Sequence, residues 1–542
     1  MNTIARHFVY AITLLFTLST AKAYADNPPH TVTIAVFSIN DFHGAFVQDL
    51  DKGIPGAPSV LHCLDSLKAV YPYHLTVAAG DNFGGSYFYK ATKGLLLPPF
   101  FDMAEINISA VGNHEFDDGQ PELARKWQGD ALRPANWQFD YICANIYDEK
   151  GMNPPYMAPY KIAEVRVSPT QSVKVAFIGL LASSAKEQIK ARNTIGLTFS
   201  GRYTRVLDSL KSLPEFQEVR EAAVHNLLIH IGTRMKDGKP QWVDKSLDEL
   251  YAIGDNLIDG IFSGHSHDPV CGLINDKQYP VVQGHWHGNY ISMIKYVVDL
   301  DQNKVISATP EIVKVPAKSK EQLIGRALRL QELTDSLLDN TKTTAGVPIG
   351  TQLTVCTEVL PHDRTEMFVD SPVGKLVCSS FSETFRKVAH KKDKEVIVGV
   401  NHFGGIRANL PKGKISVLDV GEVLPFGNPL CVYEMTGKEL YRLIDAGFNN
   451  HYFGRIQRSN LNVELNGDGH VKRLVYVSPK GKKKVIKDNT RCYVVADEYM
   501  TTGGDDYSPE LFPNEKRVKV GLPLTTDCFI DYLRQQPQIP VK

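Results

Sequence analysis

The sequence predicts an α/β protein with two α/β domains, and two observations support this expectation. Short apolar runs rich in β-branched residues alternate with segments of helical periodicity, such as residues 57–71. This alternation is typical of layered α/β folds. A second pattern of the same kind begins after about residue 343, beyond a long helical segment. At about 150 residues per domain, 542 residues fit two to four domains.

The candidate strands of the first half each run into a polar or glycine-bearing loop. We expect strands at 31–39, 75–79, 108–111, 173–181, 226–231 and 258–263. Open α/β sheets bind ligands in loops that follow their strands. These loops are therefore the first place to look for a functional site.

A helical segment divides the chain. Residues 319–340 carry apolar side chains at helical spacing, and Ser319 followed by Glu321 and Gln322 is typical of a helix start. We therefore expect a first domain at 26–318, a linking helix at 319–342 and a second domain at 343–542.

The first 25 residues have the features of an export signal. Arg6 precedes an apolar run at 8–18, and the small residues Ala23 and Ala25 fit a signal-peptidase site. The run is shorter than the roughly 20 residues that span a bilayer. The polar C-terminus lacks the apolar tail of a GPI signal. We expect a signal peptide at 1–25, a periplasmic or secreted mature protein, and no membrane anchor.

Charge and composition exclude one class of partner. Sixty Lys and Arg residues balance sixty Asp and Glu residues, whereas proteins that hold nucleic acid polymers by a general positive field show a basic excess. The apolar fraction of 43% and charged fraction of 22% are ordinary globular values. We expect no nucleic acid polymer as a partner, and the sequence does not give the oligomeric state.

Candidate metal ligands and their neighbours collect at the ends of the first-half strands. They are Asp41, His43, Asp81, Asn113, His114, Asp117, His230, His265 and His267. Each alone has a structural explanation, such as a cap or a buried histidine, but five clusters in succession favour one site. Imidazole, carboxylate and amide groups without thiolates suit Zn, Mn, Co or Fe in a hydrolytic site. A carboxylate shared by two ligand groups would bridge two cations.

The second half carries a different group of motifs. They read GGIR at 404–407, PFGN at 425–428 and YMTTGGDDY at 499–507. Paired glycines beside an arginine suit an anion that approaches the backbone closely. The rings of Phe426 and Tyr499 either stack on a base or belong to the core, and the residues alone leave both interpretations open.

Taken together, these motifs resemble the bacterial 5′-nucleotidase/UDP-sugar hydrolase family of calcineurin-like metallophosphoesterases. The resemblance runs from about residue 31 to the C-terminus. It implies an α/β/β/α sandwich for the first domain, a linking helix, and a C-terminal α/β domain that binds the nucleotide. It also implies two divalent metal ions as cofactors, with Zn, Mn or Co expected.

The resemblance also implies a role for each motif residue. Asp41, His43 and His267 would hold one cation, Asn113, His230 and His265 the other, and Asp81 would bridge them. His114 would act as acid or charge stabiliser at the phosphate, oriented by Asp117. The implied substrate contacts in the second domain are Gly405, Arg407 for phosphate, Phe426 and Tyr499 for stacking, and Asn428 and Asp505 for base and ribose.

The chain departs from the family pattern at two places. The family usually has Asn or Ser followed by three glycines where this chain reads NHFGG at 401–405. The family places phosphate-binding arginines shortly before a glycine that corresponds to Gly374, and the nearest here is Arg364. His285 and His287 lie at a position that the family does not use for ligands, so we interpret them as structural or as neighbours of the ligands.

We therefore expect an exported, metal-dependent nucleotidase that removes the 5′-phosphate of nucleotides. Nucleotide sugars and ADP or ATP are further candidate substrates. One alternative is a 2′,3′-cyclic-nucleotide phosphodiesterase with 3′-nucleotidase activity, which would use the same metals. Another is an inactive nucleotide-binding or surface-interaction protein, against which the complete ligand set argues.

Overall fold

The computed structural model describes residues 30–50, 54–128, 139–243, 257–274 and 278–539. The expected signal peptide at 1–25 lies outside the described residues. Within them, no helix is long and apolar enough to cross a membrane. The chain divides into two compact units. The first runs to Gly85 and resumes at Gly94–Leu333, and the second comprises Ser86–Lys93 and Thr334–Lys542.

The helices of the described chain range from single turns to five turns. Their bounds are α1 Gly56–Val70, α2 Tyr87–Thr92, α3 Leu97–Ala104, α4 Gln120–Gln128, α5 Ala185–Gln188, α6 Tyr203–Lys211, α7 Gln217–Arg220, α8 Gly325–Asn340, α9 Pro372–Val388, α10 Val417–Val423, α11 Gly437–Phe448, α12 Glu498–Thr501 and α13 Thr525–Arg534.

The strands fall into a longer series in the first unit and a shorter one in the second. The first unit contains β1 Thr31–Ile39, β2 His74–Ala78, β3 Ile106–Ala110, β4 Asp140–Ile142, β5 Ile146–Tyr147, β6 Tyr160–Ser168, β7 Gln171–Leu181, β8 Thr198–Phe199, β9 Val224–His230, β10 Thr233–Lys236, β11 Lys239–Trp242, β12 Gly260–Phe262, β13 Pro269–Ile274, β14 Tyr279–Gly284, β15 Tyr290–Asp299 and β16 Lys304–Lys314. The second contains β17 Gln352–Cys356, β18 Val396–Asn401, β19 Gly413–Ser416, β20 Leu430–Thr436, β21 Gln457–Arg458, β22 Leu461–Leu465, β23 Val471–Val477, β24 Lys483–Val485 and β25 Arg491–Asp497.

Two six-stranded mixed sheets form the centre of the first unit. Their strand orders are β16-β15-β1-β2-β3-β4 and β13-β14-β12-β9-β7-β6. One apolar core takes buried side chains from both sheets, among them Val36, Phe177 and Tyr296. Apolar faces of two sheets exclude water only by packing on each other or on helices. The predicted α/β sandwich is thereby confirmed.

The parallel strands of these sheets position the functional loops. β1, β2, β3 and β4 run parallel in one sheet, and β7, β9, β12 and β14 run parallel in the other. The carboxyl ends of parallel strands lie at the same edge of a sheet. Residues that follow these strands are therefore brought together although they are far apart in sequence.

The second unit is built on the sheet β20-β25-β18-β21. β18 and β25 are neighbours and run parallel, so the loops after them share one sheet edge. The GGIR motif follows β18, and the Tyr499 motif follows β25. The fold thus places these two motifs of the second half side by side.

The linking helix begins later than its sequence pattern predicts. Ser319 caps a single 3₁₀ turn at Lys320–Gln322, and the Gln322 side chain returns to the Ser319 backbone. This reciprocal cap matches the predicted start signal. The backbone is extended again at Leu323, and the α-helix runs from Gly325 to Asn340.

The segment Ser86–Lys93 groups with the second unit, although its sequence position places it inside the expected first domain. Glu422 accepts a hydrogen bond from the Tyr87 backbone N–H at 2.8 Å. The Tyr87 ring lies so close to Gly421 that a Cβ there would come within 1.9 Å of it. Sequence periodicity does not reveal such a long-range docking.

Candidate metal centre and substrate pocket

The predicted metal ligands lie together at the carboxyl ends of the first unit's parallel strands. Asp41 and His43 follow β1, Asp81 follows β2, and Asn113 follows β3 in one sheet. His230 ends β9, and His265 and His267 follow β12 in the other sheet. Three overlapping groups of ligand atoms lie within 4.8 Å of one another: Asp41, His43 and His267; His43, Asp81 and His114; and Asp81, His230 and His265.

The first group is close-packed around Asp41. His43 Nε2 and His267 Nε2 are 3.0 Å apart, and His267 Nε2 is 3.3 Å from Asp41 Oδ1. His43 Nε2 lies 3.9 Å from both the Asp41 and the Asp81 carboxylate. One carboxylate and two imidazoles therefore converge on one point, which is the donor set of a divalent cation.

The second group gathers around Asp81. His230 Nε2 lies 3.0 Å from Asp81 Oδ2, and His265 Nδ1 lies 3.1 Å from Asn113 Oδ1. The His114 backbone N–H donates to the other Asp81 oxygen at 2.8 Å. Asp81 belongs to two of the three groups, one with His43 and His114 and the other with His230 and His265.

The residues fit a pair of cations by a second criterion. Asp41 and Asp81 are buried, and buried charges in proteins are paired or coordinate metals. The ring nitrogen His230 Nε2 is buried too, and it faces Asp81 Oδ2 at 3.0 Å. Imidazole nitrogens and carboxylate oxygens that face one another in a buried cluster are a donor set that suits a shared cation.

The electrostatics of the cluster show the same demand for positive charge. Burial disfavours the charged imidazole of His230, but the charges of Asp81 and Asp41 and the close contact with Asp81 together raise its pKa. Burial alone would raise the pKa of Asp81, but the charge of His230 lowers it. The two carboxylates thus stabilise a positive charge between them, which a divalent cation supplies more strongly than a proton.

Several of the predicted ligands have a strained backbone. Asp41, His43, Asp81, His265 and His267 all have positive φ, between 48° and 84°. This left-handed conformation costs an L-residue about 1–2 kcal/mol, and such strain accumulates at functional sites. Gly112 also has no room for a side chain, because its Cβ would lie 2.2 Å from Asp81 Oδ1.

His114 lies beside the cluster with its own carboxylate partner. Its Nδ1 is 2.7 Å from Asp117 Oδ2, and its ring lies edge-on to His43 at 4.9 Å. Burial opposes the charged form, but the Asp117 hydrogen bond and the Asp81 charge raise the pKa of His114 to about 9. Asp117 fixes the ring through Nδ1, and the same ring belongs to a candidate ligand group with His43 and Asp81.

Two residues that the sequence did not single out hold these loops. Glu115 is buried, and its carboxylate accepts the backbone N–H groups of Asp81, Asn82 and Gly112 at 2.6–2.9 Å. Asn40 donates to Asp41 Oδ2 and to the His285 carbonyl, each at 2.7 Å. Only their position next to ligand motifs could have indicated these roles.

In the second unit, the predicted stacking rings are partly open to solvent. Phe426 and Tyr499 are each 47% exposed, so neither is a core residue. The Arg407 guanidinium lies 5.8 Å from the centre of the Phe426 ring. Two exposed rings and a cation in one loop cluster suit a planar, anionic ligand.

Asp505 is held from both sides. Its Oδ2 lies 2.6 Å from His402 Nδ1, and its Oδ1 accepts from the Tyr499 hydroxyl at 3.2 Å. His402 occupies the NHFGG segment, where the chain departs from the family. Gly405 packs against this histidine so closely that a Cβ would lie 2.5 Å from His402 Nε2.

Asn428 has a partner within the second unit. Its side-chain amide donates to both carboxylate oxygens of Asp497 at 3.1 Å. Because a carboxylate only accepts hydrogen bonds, this contact fixes the direction of the amide nitrogen.

Arg364 adds a second cation to this unit. Partial burial and the charge of Arg364 lower the pKa of Arg407, so the two guanidinium groups are near enough to repel each other. The same two charges act on the buried His362, whose pKa falls to about 4 chiefly through burial. Two guanidinium charges that act on each other favour an anion in their neighbourhood, and sequence spacing alone gave little weight to Arg364.

Two family models match the chain. A calcineurin-like phosphoesterase model matches residues 34–269, which contain every predicted metal ligand. A model of the 5′-nucleotidase C-terminal domain matches residues 349–511, which contain Gly405 through Asp505.

Curated relatives are similar over most of this chain. It is 27% identical over 438 residues to endonuclease YhcR of Bacillus subtilis (strain 168), and these residues make up 77% of this chain. The chain spans only 33% of that relative's length. It is 24% identical over 554 residues to a 5′-nucleotidase of Vibrio vulnificus (strain CMCP6), covering 94% of this chain and 92% of the relative.

A solved structure shares the fold. The 5′-nucleotidase precursor from Thermus thermophilus matches with a TM-score of 0.59 at 21% identity. The match covers 94% of this chain and 97% of that one.

Proposed function

The chain belongs to the 5′-nucleotidase family, in which a calcineurin-like phosphoesterase domain precedes a 5′-nucleotidase C-terminal domain, and on this premise we propose that it is a metal-dependent nucleotidase. The proposed reaction is hydrolysis of the 5′-phosphate ester of a nucleotide. The observation that carries the proposal is the cluster of overlapping ligand groups around Asp81.

The residues of the first unit would hold two divalent cations. Asp41, His43 and His267 form one ligand set, and Asn113, His230 and His265 form the other, with Asp81 between them. This imidazole and carboxylate donor set suits Zn, Mn or Co. When bound, two such cations polarise the phosphate and lower the pKa of water to near neutrality.

His114 is the proposed acid or charge stabiliser at the phosphate. Its Nδ1 contact to Asp117 at 2.7 Å fixes the orientation of the ring. Burial opposes the charged ring, but the Asp117 hydrogen bond favours it and raises the pKa of His114. Donation from Nε2 to a phosphoryl oxygen would stabilise charge that grows as the ester bond breaks.

The second unit is proposed to recognise the nucleoside and part of the phosphate. Phe426 and Tyr499 would stack on the base, which is worth about 1–3 kcal/mol per ring. Asp505, fixed by His402, would accept hydrogen bonds from the ribose. Arg407 together with Arg364 and the Gly404-Gly405 backbone would bind anionic oxygens. Asn428 would contact the base through its amide oxygen.

A substrate panel tests the proposed function. The purified protein is assayed for phosphate release from 5′-, 3′- and 2′,3′-cyclic nucleotides and for cleavage of ADP, ATP and UDP-glucose. Each assay is run after chelation and with Mn, Co or Zn added. We expect 5′-monophosphates to be hydrolysed fastest, chelation to abolish turnover, and metal to restore it.

The panel also has outcomes that contradict the proposal. Faster hydrolysis of 2′,3′-cyclic and 3′-nucleotides would assign the protein to the alternative phosphodiesterase reaction. No phosphate release with any metal, together with retained nucleotide binding, would indicate an inactive binding protein. Cleavage of UDP-glucose beside 5′-monophosphates would extend the substrate range to nucleotide sugars.

We also infer that the mature protein acts outside the cytoplasm. The support is the apolar run at 8–18 followed by Ala23 and Ala25. Fractionation of the native host and N-terminal sequencing of the mature chain test this inference. A first residue of Asp26 in an exported fraction is expected, and an uncleaved cytoplasmic chain would contradict it.

A further inference from the structure

An exposed tryptophan stacks on one of the predicted metal ligands. Trp286 lies in the loop that follows β14. The indole ring is 5.1 Å from the His267 ring with an interplanar angle of 21°. The indole also stacks on the His287 ring, with a centroid distance of 4.0 Å and an interplanar angle of 19°. Both separations fall at or near the range of favourable aromatic stacking.

His267 differs from its neighbours in how it is held. Its side chain is 37% exposed, whereas that of His43 is 5% exposed and that of His230 is fully buried. Burial fixes the rings of the other two ligands through surrounding atoms. His267 has positive φ and a partly open ring, so fewer surrounding atoms fix the plane of its imidazole.

The loop that carries Trp286 is fastened to the strand end that carries Asp41. The His287 backbone N–H donates to the Asp41 carbonyl at 2.8 Å. Asn40 accepts the Gly284 N–H and donates to the His285 carbonyl, both at 2.7 Å. The indole is therefore placed relative to Asp41, which belongs to the same ligand group as His267.

We propose that Trp286 is a positioning residue for the first metal site: its indole face sets the ring plane of His267 so that Nε2 faces Asp41 Oδ1 and His43 Nε2, with which it would hold a cation. This inference rests on the proposed metal centre. Groups that orient metal ligands affect metal affinity about 10- to 100-fold when they are removed. Stacking by an indole can be replaced by another aromatic ring but not by an aliphatic side chain.

Metal titration of matched variants tests this role without an activity assay. Chelated protein is titrated with Co²⁺ alone, and bound metal is measured by equilibrium dialysis. We expect Trp286→Leu to bind one of its two equivalents about 10-fold more weakly. Trp286→Phe should keep near wild-type affinity because a phenyl ring still stacks. His285→Ala is the loop control, since the His285 ring packs edge-on to Trp286 and near Tyr290, and it should bind both equivalents normally.

Tryptophan fluorescence gives a second readout. Co²⁺ quenches an indole that lies against its ligand, so wild-type emission should fall as the first site fills. Trp286→Phe should lose this response while still binding cobalt. An unchanged Co²⁺ affinity of Trp286→Leu would overturn the positioning role.

His267→Ala separates failure of this inference from failure of the metal centre. If His267→Ala retains two equivalents at full affinity, His267 is not a ligand and the metal assignment is wrong. If it loses one equivalent while Trp286→Leu binds both as the wild type does, only the role of Trp286 is wrong.

Discussion

The two candidate sites differ in how their side chains are held. In the first unit, Asp41, Asp81 and His230 are buried and contact one another closely. In the second unit, Phe426 and Tyr499 are each about half exposed. A site that concentrates buried charge must fix its groups in advance, because unpaired charges are costly. A site that takes a flat ring leaves its faces open until the ring arrives.

The largest effect is expected when the buried carboxylate shared by the two predicted ligand sets is removed. Asp81→Ala should reduce turnover by about 10³-fold or more, because both cations lose a ligand. The loss should be equal for a 5′-nucleotide and for an aryl phosphate, which has no base. Steady-state kinetics on both substrates measure it. Asp505→Ala is the control from the second unit and should affect only the nucleotide.

His114→Ala should have the next largest effect. Loss of an acid or charge stabiliser lowers kcat by about 10²–10⁴-fold. Metal content should stay at the wild-type value, because His114 is assigned to the phosphate and not to a cation. Asp117→Asn should give a smaller loss of the same kind. If His114→Ala loses a metal equivalent, this residue is a ligand and its assignment is wrong.

Phe426→Ala and Tyr499→Ala should affect only substrates that carry a base, which distinguishes the pocket from the metal cluster. Each should remove about 1–3 kcal/mol of stacking free energy, which raises KM for nucleotides roughly 5- to 150-fold. Hydrolysis of an aryl phosphate should barely change. Parallel kinetics on the two substrates measure the difference, and equal damage to both would show that the rings only stabilise the fold.

The smallest effect concerns stability of the second unit. Burial raises the pKa of Glu422 from its ordinary value to about 7, so the folded state binds this proton more tightly than the unfolded state. Its stabilising contribution is therefore present below about pH 4.5 and is lost as pH rises to about 7. Glu422→Gln should raise the free energy of unfolding by about 1–3 kcal/mol at pH 8.

The internal control for Glu422→Gln is the same comparison at low pH. Denaturant unfolding at pH 4.5 should show little difference between variant and wild type, because both side chains are neutral there. A gain that is equal at pH 4.5 and pH 8 would contradict the titration of Glu422 as its cause. The hydrogen bond from the Tyr87 backbone survives in the variant, since a glutamine oxygen also accepts.

Sequence patterns predicted more of the metal cluster than of the substrate pocket. Asp41, Asp81 and His265 follow strands with glycine-bearing loops, and parallel strand ends must meet, so their convergence could be predicted. Phe426 and Tyr499 have no such constraint from the residues alone, and only the family resemblance favoured stacking over core packing.

The remaining features depend on long-range contacts. The Glu115 carboxylate accepts hydrogen bonds from three backbone N–H groups in two loops, and no local sequence pattern predicts these contacts. His402 reaches Asp505 across more than 100 positions of sequence. The docking of Ser86–Lys93 within the second unit and the stacking of Trp286 on His267 likewise arise only once the chain is folded.

The central claim is that the first unit holds two cations bridged by Asp81, and metal analysis of chelated and reloaded protein tests it most directly. The wild type should bind two equivalents of Zn²⁺ or Mn²⁺ per chain. Asp41→Ala should keep about one and Asp81→Ala should lose affinity at both sites. Two equivalents retained in folded Asp81→Ala at wild-type affinity would contradict the account.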